Sequence, residues 1–138
     1  MGTIVAGATD TPTANEAARQ AATLARDLGA RLHLVSAVSD RATTTVGGAG
    51  ESWTFTTYDG ARSHLDNMAG LLGNGLEVTT AVVTGDPADA MCSEAERLEA
   101  DVIVVGSVRT QGISRVLGSV ATAVLQRTPC AVFVAKTT

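Results

Sequence analysis

The sequence predicts a three-layer α/β sandwich around a five-stranded, mostly parallel sheet. Two observations carry that class. Short apolar runs alternate with segments of helical periodicity along all 138 residues. The most apolar run, Asp101-Val-Ile-Val-Val-Gly106, has no polar face, as expected of a strand covered on both sides. The length suits one domain, residues 1–138, with one core.

Thr3 to Ala8 is a short apolar run and reads as a buried strand, with Thr11 and Pro12 punctuating it. Thr13-Ala-Asn-Glu16 has the spacing of a capping box. Ala14, Ala17, Ala18, Ala21, Ala25 and Leu28 then recur at helical spacing, and Gly29 suits the C-terminal stop. Arg31 to Val38 is a second strand, which completes a βαβ unit with a right-handed crossover. Ser39 to Gly60 breaks the rhythm. It is rich in Thr, Gly and Ser, holds Trp53, Phe55 and Tyr58, and reads as a long, partly mobile loop excursion, folded over the sheet or against a partner.

Ala61 to Leu72 resumes a helix, and Leu76 to Val83 is the third strand. Gly85-Asp86-Pro87 starts the next helix, with Asp as N-cap and Pro at the first helical position. Ala88, Met91, Ala95 and Leu98 line one face of it. After the strand ending at Gly106, a loop runs from Ser107 to Leu117. Ser119 opens a helix to about Arg127, Pro129 stops it, and Cys130 to Ala135 is the last strand.

Composition removes several classes. A net charge of −4 gives no general reason to bind nucleic acid or an anionic membrane. The two cysteines, Cys92 and Cys130, are too few for a disulfide scaffold or a structural zinc site of their own, and no metal site is expected. The opening residues lack a basic n-region and a long apolar run, so no signal peptide is expected, and no stretch reaches membrane-spanning length. A soluble cytoplasmic protein with reduced thiols is the resulting expectation.

In an open parallel sheet, ligands sit at the carboxyl ends of the strands near the topological switch point. The connection after Gly106 is longer than the usual ~2–6 residues. Gly106, Gly112 and Gly118-Ser119 suit an anion cradle, because glycines let backbone approach a phosphate and the helix after Gly118 aims free N–H groups at it. Arg109 and Arg115 could add charge. The plain alternative is a helix N-cap preceded by turn glycines, and these residues alone weigh the two evenly. A Walker A loop is absent, since Lys136 is the only lysine. Neither G-x-G-x-x-G after the first strand nor G-x-S-x-G occurs. His33 and His64 stand apart from cysteines and acidic clusters in sequence, and His33 reads as a packed or partly exposed residue. No catalytic residue is assigned.

Taken together, the chain resembles the universal stress protein family. The carriers are Ile4-Val-Ala-Gly7, Asp10-Thr-Pro-Thr-Ala14, Leu32-His-Leu-Val35 and Gly85-Asp-Pro-Ala88. The more specific stretch runs from Ala100-Asp-Val-Ile-Val-Val-Gly106 through Leu117-Gly-Ser-Val120 to Thr128-Pro-Cys-Ala-Val-Phe-Val134. The resemblance implies strand order 3-2-1-4-5 and a homodimer paired through the last strand, 130–135. One branch of the family binds ATP or related adenine nucleotides through Gly-x2-Gly-x9-Gly-[Ser/Thr]. Here Gly106, Gly118 and Ser119 match, Arg109 takes the second glycine position, and the span is one residue shorter. An arginine there could obstruct the phosphates or pair with them. Where the family has an Asp after the first strand, this chain has Thr9 followed by Asp10.

The resemblance therefore implies a nucleotide site of Ala8, Thr9, Asp10, Ala37, Val105, Gly106, Arg109, Gly118, Ser119 and Val120, with Val105 beside the base and Val120 beside the phosphates. The expected function is a stress-response sensor or regulator that binds ATP or an AMP-like nucleotide, with Mg²⁺ as a candidate companion. A nucleotide-free dimeric interaction module is the alternative. An enzyme acting on a small phosphorylated substrate ranks third, and ATP hydrolysis would be slow at most.

Overall fold

The computed structural model describes residues 2–8, 12–38, 43–48, 51–107 and 118–137. The elements run β1 (Thr3–Gly7), α1 (Pro12–Leu28), β2 (Arg31–Val38), β3 (Thr43–Gly48), β4 (Glu51–Thr56), α2 (Thr57–Leu72), β5 (Val78–Thr84), α3 (Pro87–Leu98), β6 (Val102–Gly106), α4 (Ser119–Arg127) and β7 (Ala131–Ala135). Five of these strands form one parallel sheet in the order β5-β2-β1-β6-β7. Counted along the chain, that is the expected 3-2-1-4-5. The chain winds outward from β1 to β5, then returns to the other side of β1 as β6. The switch point is the β1–β6 boundary.

Alternation along each strand builds the two covered faces. Ile4, Ala6, Leu32, Leu34 and Val104 face α1 and α2, where Ala18, Ala21, Ala22, Leu65 and Met68 pack on them. Val5, Val35, Ile103 and Val105 face α3 and α4, against Met91, Ala95, Ala121 and Val124. The buried stripe of α1 is alanine throughout, from Ala17 to Ala25, which lets that helix lie close to the sheet. On the opposite face, Gly7 leaves room for Met91: a Cβ there would stand 3.0 Å from the thioether sulfur.

A buried polar chain anchors α3 to the sheet. His33 of β2 lies level with Thr79 of β5. Its Nδ1 is 2.7 Å from Thr79 Oγ1 and its Nε2 is 2.8 Å from Glu94 Oε1 on α3. Arg97 donates to both oxygens of Glu94, at 2.8 and 2.9 Å. Arg97 and then His33 hold the Glu94 carboxyl at about 2 despite its burial. An ionised carboxylate only accepts, so the His33 Nε2 is the donor in that contact. The packed reading of His33 stands, with a specific polar environment that the sequence did not reveal.

Three local expectations change. α1 begins at Pro12, so Thr13 lies inside the helix and the capping-box reading fails. Proline at the first helical position needs no N–H partner and sets the start one residue earlier. The excursion at 39–60 contains an antiparallel hairpin, Thr43 paired with Thr56 through Gly48 with Glu51. Its Thr-rich and aromatic strands outweigh the glycine content that suggested a loop. α2 starts at Thr57, four residues before the expected Ala61.

Candidate functional site

The carboxyl ends of β1 and β6 lie side by side. Their register, Ile4 with Val102 through Ala6 with Val104, continued by two residues, sets Ala8 level with Gly106. Ala8 is fully buried, and its N–H donates to the Val35 carbonyl at 2.8 Å, so the backbone stays in the sheet one residue past β1. Ala37 is half-buried near the end of β2, paired with Val83. Val105 is buried and faces the α3–α4 side, and Gly106 pairs with Ala135.

The start of α4 comes to the same place through one residue. Gly118 donates its N–H to the Ser107 carbonyl at 3.2 Å. Gly118 is the N-cap of α4, in extended conformation with φ −63° and ψ 163°, and among the described residues no side chain caps the helix. The first turn carries no acidic residue, and Ser119 and Val120 are exposed. The N–H groups of that turn have no acceptor within the helix. The start of α3 differs. There the Asp86 side chain accepts from the Asp89 N–H at 3.1 Å, so the helix satisfies itself. α4 therefore presents an uncapped, positive dipole end beside the switch point, the arrangement that attracts an anion.

The structure thus brings Ala8, Val105, Gly106, Gly118, Ser119 and Val120 to one end of the sheet, with Ala37 one strand away. Thr9, Asp10 and Arg109 lie outside the described residues. Among the described residues, no group of three or more His, Cys, Asp or Glu side chains could hold a metal ion. Among the described residues, two surface cavities lie away from this end. One of about 320 Å³ sits at the opposite end, by Gly2, Arg26, Arg31 and Glu77. The other, about 390 Å³, lies between α3 and α4 by Cys92 and Arg127. Both cysteines are free, and burial together with Asp89 pushes the Cys92 thiol up, away from reactivity.

Sequence reasoning missed Ser107. Its N–H donates to the Ala135 carbonyl, its carbonyl accepts from Gly118, and its Oγ accepts from the Thr137 N–H at 3.1 Å. The partner residues are distant in sequence, and a lone serine after a strand gives no local signal of them.

Residues 1–136 match the profile of the Universal stress protein family. The chain belongs to that family. A universal stress protein of Methanocaldococcus jannaschii is 38% identical over 63 residues, which are 45% of this chain and 37% of that protein. The chain thus matches little more than a third of that curated relative's length. Among solved structures, a universal stress protein in complex with cAMP superposes with a TM-score of 0.73 at 24% identity, covering 99% of this chain and 98% of that one. A universal stress protein from Archaeoglobus fulgidus in complex with dAMP gives a TM-score of 0.69 at 22% identity, covering 97% and 96%. These likenesses establish the universal stress protein fold for this chain.

Proposed function

We propose that this chain is a stress-response sensor or regulator that binds an adenine nucleotide, ATP or an AMP-like molecule, at the carboxyl end of the sheet. The carrying observation is the uncapped, acid-free start of α4 beside the β1–β6 switch point, on a fold whose solved relatives hold cAMP and dAMP. The phosphates lie against the Ser119 and Val120 amides, where the helix dipole and free N–H groups act together, the Gly118 N–H being held by the Ser107 carbonyl. The base lies toward Ala8, Ala37 and Val105, whose small or apolar side chains leave its edge to the backbone. The family resemblance would add Thr9, Asp10 and Arg109, which lie outside the described residues, to this site, with Arg109 either pairing with phosphate or obstructing it. Were the nucleotide to carry Mg²⁺, Ser119 would offer it an oxygen ligand, and Asp10, outside the described residues, is the further candidate the sequence names.

Binding rather than turnover is the mechanism, with hydrolysis slow at most. No described helix is long and apolar enough to cross a membrane, and we place the protein in the cytoplasm. A second copy pairs along β7, which is the sheet's edge and exposes Phe133.

Calorimetric titration with ATP, AMP and cAMP tests the reading. Saturable heat with at least one of them, and a matching rise in Tm, is expected. No heat and no thermal shift at millimolar ligand would remove the sensor role and leave a nucleotide-free interaction module.

A further inference from the structure

We propose that Ser107 couples occupancy of the nucleotide site to the order of β7 and the tail that follows it. The coupling rests on the binding site proposed above. Ser107 is bonded in two directions. Toward the site, its carbonyl accepts from the Gly118 N–H at 3.2 Å, and Gly118 is the residue that opens α4. Toward the tail, its N–H donates to the Ala135 carbonyl at 2.8 Å. Its Oγ accepts from the Thr137 N–H at 3.1 Å and lies 3.4 Å from Thr137 Oγ1. One partly buried residue therefore links the peptide at the anion-binding helix start to the last turn of chain.

A second tie holds the same tail. Gln20 of α1 donates to the Lys136 carbonyl at 3.0 Å, and its amide also reaches Glu16. α1 follows β1, so both ties lead back to the end of the sheet where the nucleotide sits. Among the described residues, β7 has a strand neighbour on one side alone, β6. Its outer edge has no ladder partner among the described residues, and edge strands of this kind open locally at low cost. A phosphate held by the Ser119 and Val120 amides fixes the start of α4, and with it the adjoining Gly118 peptide whose N–H engages the Ser107 carbonyl. The Ser107 hydroxyl then passes that restraint to Thr137. The result is an edge strand whose order, and hence whose readiness to pair, follows the nucleotide.

Hydrogen–deuterium exchange of residues 131–137, with and without AMP, tests this, with calorimetry on the same samples reporting binding separately. AMP should slow exchange there roughly two- to tenfold, the range one net hydrogen bond supplies. Ser107→Ala should still bind AMP while exchange at Thr137, which the hydroxyl holds, no longer responds to it. Ser107→Thr, which keeps the hydroxyl, should restore the response. A purely structural serine would instead give faster exchange in the alanine variant with the AMP response intact, and that result overturns the coupling. So does AMP binding to the unmodified protein with no change at 131–137. Absence of binding heat would bring down the nucleotide reading itself, and the coupling with it.

Discussion

Glu94→Gln is the substitution whose consequence the structure prices most directly. Glu94 is only 9% exposed, and its carboxyl is held at about 2 against an ordinary 4.5, first by Arg97 and then by His33. At about 1.4 kcal/mol per pH unit, that difference is worth about 3 kcal/mol of stability at neutral pH. The folded pKa is the depressed one. The contribution is therefore complete above the unfolded value of 4.5 and is lost as pH falls through about 2. At pH 3 roughly 1 kcal/mol remains, so about 2 kcal/mol is lost between pH 7 and pH 3. Glutamine keeps the shape and accepts from His33 but does not titrate. Urea unfolding of both proteins, followed by circular dichroism at the two pH values, reads the gap between them. The other carboxylates cancel in that difference. The gap should be about 3 kcal/mol at pH 7 and narrow to about 1 at pH 3. Equal gaps at both pH values would show that Arg97 and His33 do not hold this carboxylate ionised, and the anchoring of α3 would have to lie elsewhere.

Gly118→Asp should cut AMP affinity at least about tenfold while leaving Tm unchanged or slightly higher, because aspartate is itself a good N-cap and occupies the phosphate's place with like charge. Unchanged affinity in calorimetry would move the phosphate site away from α4. Gly73→Ala should cost about 1–3 kcal/mol in urea unfolding, since its Cβ would stand 2.6 Å from the Ala69 carbonyl oxygen. A loss under about 0.5 kcal/mol would show that the chain yields there. Arg127→Gln should cost under about 1 kcal/mol, because its pairs with Asp86 and Asp89 are solvent-exposed. A larger loss would mean that the α3–α4 contact depends on those charges.

The frame of the fold was legible because each element announces itself locally. β2 runs over Arg31–Val38 and α3 starts with Asp86 and Pro87, as read from apolar runs and cap residues alone. The strand order came from the resemblance, since no single element carries it. The hairpin at 43–56 was hidden because glycines at 47 and 48 sit in strand β3, where their composition imitates a loop. The site's glycine-capped helix start was also visible, because an N-cap is a local pattern. Its connection through Ser107 to Ala135 and Thr137 was not, nor was the pairing of His33 with Glu94, 61 residues away. Such bonds follow from which strands become neighbours, and no spacing along the chain encodes them.

The most direct test of the account is an amide NMR titration with AMP, with adenosine as the control lacking phosphate. The N–H resonances of Gly118, Ser119 and Val120 should move with AMP and stay nearly still with adenosine, while those of Ala8 and Val105 respond to both. Shifts from AMP that avoid the start of α4, or no shifts anywhere in the protein, would contradict the claim that this helix end receives a nucleotide's phosphate.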